Sequence, residues 1–433
     1  MPEAGPVHVV GAGLAGLSAA VRLAAAGVRV VLHEGAGQAG GRCRSYHDAR
    51  LGYQIDNGNH LVLSGNRSAL GYLHLTGAGD ALTALSRARF PFTDLATGAR
   101  WAVEMNDGPL PVWLARPSAR VPGTGLADYA ALLRLARAPA TATVADILPA
   151  GGPLWHGFAE PMCIAVMNAP PHRASARLMW AALAETFLRG GRHARPMLAP
   201  RGLGAAFVAP ALNFLRARGA EIRVNAGLRG IETAGGHAAA LLFADERLPL
   251  GPDGRVILAL PPARLAPLLP GLRLPGPGGA ILNAHFRLEP GAMAGLPPIL
   301  GVLSANVQWI FTRGDLVSIT ISAAEESPLM TAPEDAAAAT LWDETRRALS
   351  LPATLAPEAT RIVKEKRATP DQSPTGAAAR PGARTPLANL FLAGDATDTG
   401  LPATIEAAIR SGETAAGLAA APARDLKAMR GDA

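Results

Sequence analysis

Apolar residues fall in short runs punctuated by glycine, and the first run sets the pattern. Val7-His8-Val9-Val10 predicts a short buried strand, followed by Gly11-Ala12-Gly13-Leu14-Ala15-Gly16 and an Ala/Leu-rich helix to about Ala26. Gly27 stops that helix, Val28 to Leu32 predicts a second strand, and Glu34 closes the unit. Residues 126–150 and 174–190 read as helices, the second with Leu178, Ala181, Ala182 and Leu188 largely on one side. A helix over Ala205 to Arg218 precedes three strand-like runs: Glu221 to Val224, Leu228 to Glu232, and Arg255 to Leu260 capped by Pro261-Pro262. Ala280–Leu288 and Leu316–Ile321 alternate as sheet strands, and Glu334 to Leu349 predicts an amphipathic helix. Asn389 to Ala393 forms a last apolar strand that runs into Gly394-Asp395, and a final helix starts near Thr404. Loop signals cluster at Pro117–Gly125, Pro149–Pro153, Pro249–Gly254, Pro270–Gly279 and Pro370–Pro386. The order of elements predicts an α/β protein.

The opening unit carries chemistry. Gly11, Gly13 and Gly16 follow a strand and open a helix, and an acid stands 23 positions after Gly11. That context is the dinucleotide fingerprint. Gly11 permits the tight turn, Gly13 lets a pyrophosphate approach bare backbone beside Leu14 and Ala15, and Gly16 allows close packing of helix on strand. The N–H groups and dipole of the helix start favour phosphate. Glu34 is placed to accept from a ribose 2′-hydroxyl and would repel a 2′-phosphate, which favours FAD or NAD over NADP.

A chain of 433 residues can bury a large core and predicts two domains. Hydrophobic residues make up 49% of it, yet no apolar run reaches the roughly 20 residues that span a bilayer. The N-terminus enters the first strand directly, so the expectation is a cytoplasmic protein without a secretory signal. Cys43 and Cys163 show neither metal-ligand spacing nor a disulfide framework, and no metal is expected. The net charge is +7, almost all from arginine, since the lysines are Lys364, Lys366 and Lys427. That excess suits anionic lipid. No compact basic run interleaved with aromatic residues appears, so nucleic acid is not an expected partner.

Gly40-Gly41-Arg42-Cys43-Arg44-Ser45, just after Glu34, suits a loop crossing a diphosphate, with bare backbone for close approach and guanidinium donors. It resembles the stretch found after the Rossmann acid in flavoproteins of the amine oxidase and phytoene desaturase superfamily. That resemblance implies FAD and a discontinuous Rossmann-like FAD-binding domain of the glutathione reductase type, over 1–85, 197–262 and 355–433. An α+β substrate-binding domain over 86–196 and 263–354 would be interleaved with it. It further implies that a strand at Leu228–Ile231 contacts the adenine through its backbone. Asp395, after Gly394, would accept from flavin hydroxyls. The helix start at Pro402-Ala403-Thr404 would face the flavin ring, where negative charge gathers on reduction.

The motifs narrow further. Asp56-Asn57-Gly58-Asn59-His60, the run from Glu160 to Asn168, and Gly400-Leu401-Pro402-Ala403-Thr404-Ile405-Glu406 resemble the squalene-associated FAD-dependent desaturase family. Its better-defined members are hydroxysqualene dehydroxylases of bacterial hopanoid biosynthesis. The resemblance departs at Asn59, where the family usually carries Gln, and around Gly35-Ala36-Gly37. It implies a reduced FAD that delivers hydride to hydroxysqualene, a general acid for the leaving hydroxyl, and a pocket poor in water. The acid candidates are His60, Asp56 and Glu406; His60 would carry the proton, with Asp56 holding it protonated. Gly58, Asn59 and His60 would pass the flavin. Met162, Met167, Met179 and Trp180 are candidate walls of a polyprenyl tunnel, and Cys163 a small core residue. A long insoluble substrate implies peripheral contact with the inner membrane surface and synthases of the squalene pathway as partners. Other readings stay open: a carotenoid desaturase, an amine oxidase, or a FAD-binding scaffold that presents lipid.

Overall fold

The computed structural model describes residues 5–421; Lys427 and the outermost ends of the two terminal domain segments lie outside them. A five-stranded parallel sheet gathers segments far apart in the chain. Its order is Glu221–Arg223, Val30–His33, Val7–Val10, Arg255–Leu258 and Leu390–Leu392. Val7–Val10 and Val30–His33 are buried throughout, as expected of parallel strands covered on both faces. The helix Leu14–Ala25 packs against this sheet and against the C-terminal helix Ile405–Ala420.

Two glycines make that packing as close as it is. A Cβ on Gly16 would fall 1.8 Å from the Gly11 carbonyl oxygen, and one on Gly412 would fall 2.2 Å from the Ala15 carbonyl oxygen. Hydroxyls stitch the same contact. Ser18 Oγ donates to the Ile409 carbonyl at 2.9 Å, and Ser411 Oγ accepts from the Gly394 N–H at 2.7 Å. The two ends of the chain therefore meet where both sequence motifs lie.

The second sheet has seven strands, in the order Ala359–Glu365, Ile281–Arg287, Leu316–Ile321, Trp309–Arg313, Ile299–Leu303, Ala88–Asp94 and Arg100–Met105. It is antiparallel except where Ile299–Leu303 meets Ala88–Asp94. The helix Glu334–Ala348 covers one face through Ala337, Ala338 and Leu341. Helices Glu160–Met167 and Ala176–Glu185 belong to a separate apolar cluster with Phe90 and Trp309. Ala359–Glu365 lies beyond the expected domain boundary at 355, yet pairs over its whole length with Ile281–Arg287.

Two expected helices are broken for local reasons. Residues 126–150 form Leu126–Ala131, a 3-10 turn over Leu132–Arg137, and Val144–Ile147. Pro139 blocks continuation, and Thr143 with Asp146 forms a capping box that starts the last piece. Residues 174–190 form Ala176–Glu185 and then Phe187–Arg189; the backbone leaves the helix at Thr186 (φ −121°, ψ −88°), whose Oγ1 donates to the Ala182 carbonyl at 2.6 Å.

Gly412→Ala should lower stability by about 1–3 kcal/mol, because the added methyl meets backbone that cannot swing aside. Chemical denaturation against the parent protein measures this, and an unchanged midpoint would refute the close-packing argument.

Candidate functional site

A cavity of about 1130 Å³ is lined by residues from the two sheets and the loops that adjoin them. One end is built from glycine. Gly11 has φ +101°, and a Cβ there would lie 2.3 Å from the Ala259 carbonyl oxygen, so only glycine makes this turn. Gly13 caps the first helix, and a Cβ on it would meet nothing within 4 Å; its bare face opens on the cavity beside Leu14 and Ala15. Gly41, with φ +54°, crosses so closely that its Cβ would lie 3.2 Å from Gly13 Cα. Gly40 donates its N–H to the Ala12 carbonyl at 2.7 Å and fixes the crossing. Gly16 does not line the cavity; it works in the packing behind it.

Polar groups complete this end. Glu34 accepts from the N–H groups of Ala12 and Ala36, both at 2.8 Å, which holds its carboxylate at the cavity wall. Arg42 forms an ion pair with Asp395 at 2.8 Å and donates to the Ala368 carbonyl at 2.6 Å. Gly394, with φ +124°, exposes its backbone next to Asp395. Pro402, Ala403 and Thr404 line the cavity at the start of the last helix, where Thr404 Oγ1 accepts from the Ala407 N–H. Bare glycine, a helix N-terminus and a carboxylate at the cavity wall fit FAD, whose flavin chemistry is hydride transfer. Gln372 is a residue the sequence reading missed: its Oε1 accepts from the Ala403 N–H at 2.6 Å and orders the loop before the helix. It sits in a Pro-rich loop and carries no local signal.

Leu228 departs from expectation. It precedes the strand, which begins at Gly230, and its side chain is buried among Val10, Val256 and Leu258 rather than at the cavity wall. Apolar packing fixes its side chain.

The three acid candidates have separate environments. His60 lines the cavity, and its pKa falls to about 4 because burial disfavours the cation, with Arg42 adding to the effect and Asp56 opposing it more weakly. It is therefore neutral at pH 7, contrary to the expectation that Asp56 holds it protonated. Asp56 is buried and does not line the cavity. Its Oδ1 accepts from Ser45 Oγ and from the Leu203 N–H at 2.9 Å, and its Oδ2 from Arg313 at 2.8 Å. It ties the hairpin Ser45–Asp56 to the helical segment that begins at Leu203 and, through Arg313, to the seven-stranded sheet. Glu406 borders the cavity but is only 3% exposed. Its oxygens accept from the N–H groups of Ser68 at 3.0 Å and Ala69 at 2.9 Å, and Arg410 pairs with it at 3.0 Å. It caps the helix Arg67–Leu75 from a distant segment, using every partner as a donor.

The other end of the cavity is apolar. Phe90, Met162, Val166, Leu183, Trp309 and Phe311 form its walls. Of the four expected tunnel residues only Met162 is among them; Met167 and Met179 are buried in core and Trp180 packs against it. The aromatic walls come from strands and turns distant in sequence, so no spacing could reveal them. Cys163 is fully buried, and burial pushes its thiol up to about 12, as suits a core residue. Between the two ends lies one polar patch: Asn59 Nδ2 donates to Thr320 Oγ1 at 3.0 Å, and Thr320 Oγ1 donates to Asn283 Oδ1 at 2.8 Å.

Asp56→Asn should cost about 3 kcal/mol of stability by leaving Arg313 without its charge partner, while the folded fraction keeps its turnover. Urea unfolding and active-site-normalised rates separate the two. A second expectation concerns acid. Burial lowers the pKa values of His8, His33, His60 and His285 to about 4, 3, 4 and 4, from an unfolded value of 6.5. The unfolded chain thus binds more protons below pH 6.5, so stability is complete above that pH and is lost as pH falls toward 4. Urea midpoints across this window should drop steeply, and less so in His60→Gln.

Comparison with known proteins agrees with this geometry. Residues 14–420 match the family described as flavin containing amine oxidoreductase. A hydroxysqualene dehydroxylase of Rhodopseudomonas palustris is 45% identical over 96% of this chain and 99% of its own length. A protein of the same name from Sinorhizobium fredii is 43% identical, over 95% and 98%. An oxidoreductase structure from Methanosarcina mazei superposes with a TM-score of 0.71 at 15% identity, covering 95% of this chain and 99% of its own, which shows the fold.

Proposed function

The chain belongs to the flavin containing amine oxidoreductases and, among them, to the family of the hydroxysqualene dehydroxylases; from that premise we propose that it reduces hydroxysqualene to squalene. The carbon–oxygen bond breaks, oxygen leaves as water with an added proton, and a carbon–hydrogen bond forms. Reduced FAD supplies the hydride. The observation that carries this reading is the continuity of one cavity, with a phosphate-binding glycine crossing at one end and aliphatic and aromatic walls at the other.

The residues divide the work. Gly11, Gly13, Gly40 and Gly41 admit the diphosphate to bare backbone, and Glu34 takes the ribose hydroxyls. Trp309, Phe311, Phe90 and Leu183 exclude water from an electron-poor carbon. His60, neutral and at the cavity wall, presents one N–H and one lone pair. It orients the leaving hydroxyl and relays a proton to it. Asn59, held by Thr320, sets the position of the loop that carries His60. Substrate and product are insoluble in water, so exchange with synthases of the same pathway at a shared membrane surface is part of the proposal.

The test is anaerobic. The flavin is photoreduced, hydroxysqualene is added in detergent, and squalene is sought by mass spectrometry. Squalene formed as the flavin reoxidises supports the reading. Flavin that stays reduced, with no squalene, would turn it toward a desaturase of another polyprenyl lipid. His60→Ala should keep its flavin and lose roughly 10²-fold in single-turnover rate; full turnover would remove His60 from the mechanism.

A further inference from the structure

Five large apolar side chains stand in water on one stretch of surface. Leu110 is 72% exposed, Val112 62%, Leu126 59% and Leu133 53%, and Leu188 is also exposed. Among the described residues only Val224 shares this status elsewhere.

Contacts beneath join them into one patch. Trp113, next to Val112, packs edge-on against Tyr129, with ring centroids 5.3 Å apart. Tyr129 lies between Leu126 and Leu133, and its hydroxyl accepts from the Val121 N–H at 3.0 Å. Asn106 Nδ2 donates to the Leu110 carbonyl at 2.9 Å, while the Asn106 carbonyl accepts from the Gly191 N–H at 2.7 Å. The turn bearing Leu188 is thereby fastened to the loop bearing Leu110. A Cβ on Gly190 would fall 2.1 Å from the Gly108 carbonyl oxygen, so the two turns touch backbone to backbone.

Charge around the patch is predominantly positive. Arg116, Arg134, Arg137, Arg189 and Arg192 are exposed among these residues. The two acids present are already engaged: Asp107 pairs with Arg195 at 2.7 Å, and Asp128 accepts from the Gly125 N–H at 2.7 Å. The patch also meets the cavity. Phe187, the neighbour of Leu188, lines the apolar end and lies 5.3 Å from the Phe90 ring.

We propose that this patch docks the protein on a membrane surface containing anionic lipid. The leucines and Val112 enter the boundary between headgroups and acyl chains, and the arginines meet the acidic headgroups. No described helix is long and apolar enough to cross a membrane, so contact of this kind is peripheral. Docking here places the Phe187 end of the cavity against the bilayer, so a polyprenyl alcohol passes in without crossing water. That last step rests on the reaction proposed above; the docking does not.

The experiment is cosedimentation with vesicles of phosphatidylcholine alone or with added phosphatidylglycerol. The parent protein should bind the anionic vesicles more tightly, and salt should weaken that binding. Leu126→Glu combined with Leu133→Glu should reduce it by about tenfold or more, with unchanged thermal unfolding and unchanged turnover of detergent-dispersed substrate. Equal binding to both vesicle types, or undiminished binding of the double variant, overturns the proposal. So does a double variant that binds vesicles normally but loses a dimer seen for the parent by sedimentation; the patch is then a subunit contact. Vesicle binding without squalene formation would sustain the docking and overturn the reaction, and the reverse result would do the opposite.

Discussion

Everything at the cofactor end depends on how closely backbone can approach backbone. The first helix is wedged between the five-stranded sheet and the C-terminal helix, with Gly16 and Gly412 at the two contacts. A side chain at either would overlap backbone, at 1.8 Å from the Gly11 carbonyl oxygen or 2.2 Å from the Ala15 carbonyl oxygen, and force the helix to shift. Its N-terminus would then leave the position where Gly13 opens on the cavity and Gly41 crosses it. The anion-binding property of the helix start is general. Its placement here follows from the absence of two Cβ atoms.

A second constraint concerns buried charge. Taking a carboxylate out of water is costly unless donors surround it. Asp56 meets that condition with Ser45, Leu203 and Arg313, and Glu406 with Ser68, Ala69 and Arg410. Each joins segments remote in sequence. The same donors that make burial tolerable leave these carboxylates occupied. His60 has no such set of partners; burial beside Arg42 keeps it uncharged and available at the cavity wall.

The apolar end answers a chemical need. The proposed reaction passes through an electron-poor carbon that needs water kept away, and a cavity walled by Phe90, Trp309, Phe311 and Leu183 suits that need. Its polar patch of Asn59, Thr320 and Asn283 is held together by internal hydrogen bonds. The walls continue to Phe187 and so to the exposed leucines, which links substrate chemistry to the outer surface.

Local chemistry alone made the cofactor site legible. Gly11, Gly13, Glu34, Gly41, Gly394 and Thr404 are adjacent in short motifs, and each does its work through its own backbone or its immediate neighbours. Strand and helix patterning near those motifs was legible for the same reason. The long helices expected at 126–150 and 174–190 fail where Pro139 lacks the N–H that would continue one and where the backbone turns at Thr186 in the other. Ala359–Glu365 joins the second sheet because Ile281–Arg287 offers it an edge, a fact absent from its own residues. Sequence by itself therefore determined the flavin fold and the groups that meet at the glycine-rich end of the cavity, because these depend on spacing of a few residues. Tertiary structure decided which acid faces the cavity, which residues wall it, and that Leu228 belongs to the core. Those outcomes depend on burial and on partners hundreds of residues away, and no local pattern encodes either.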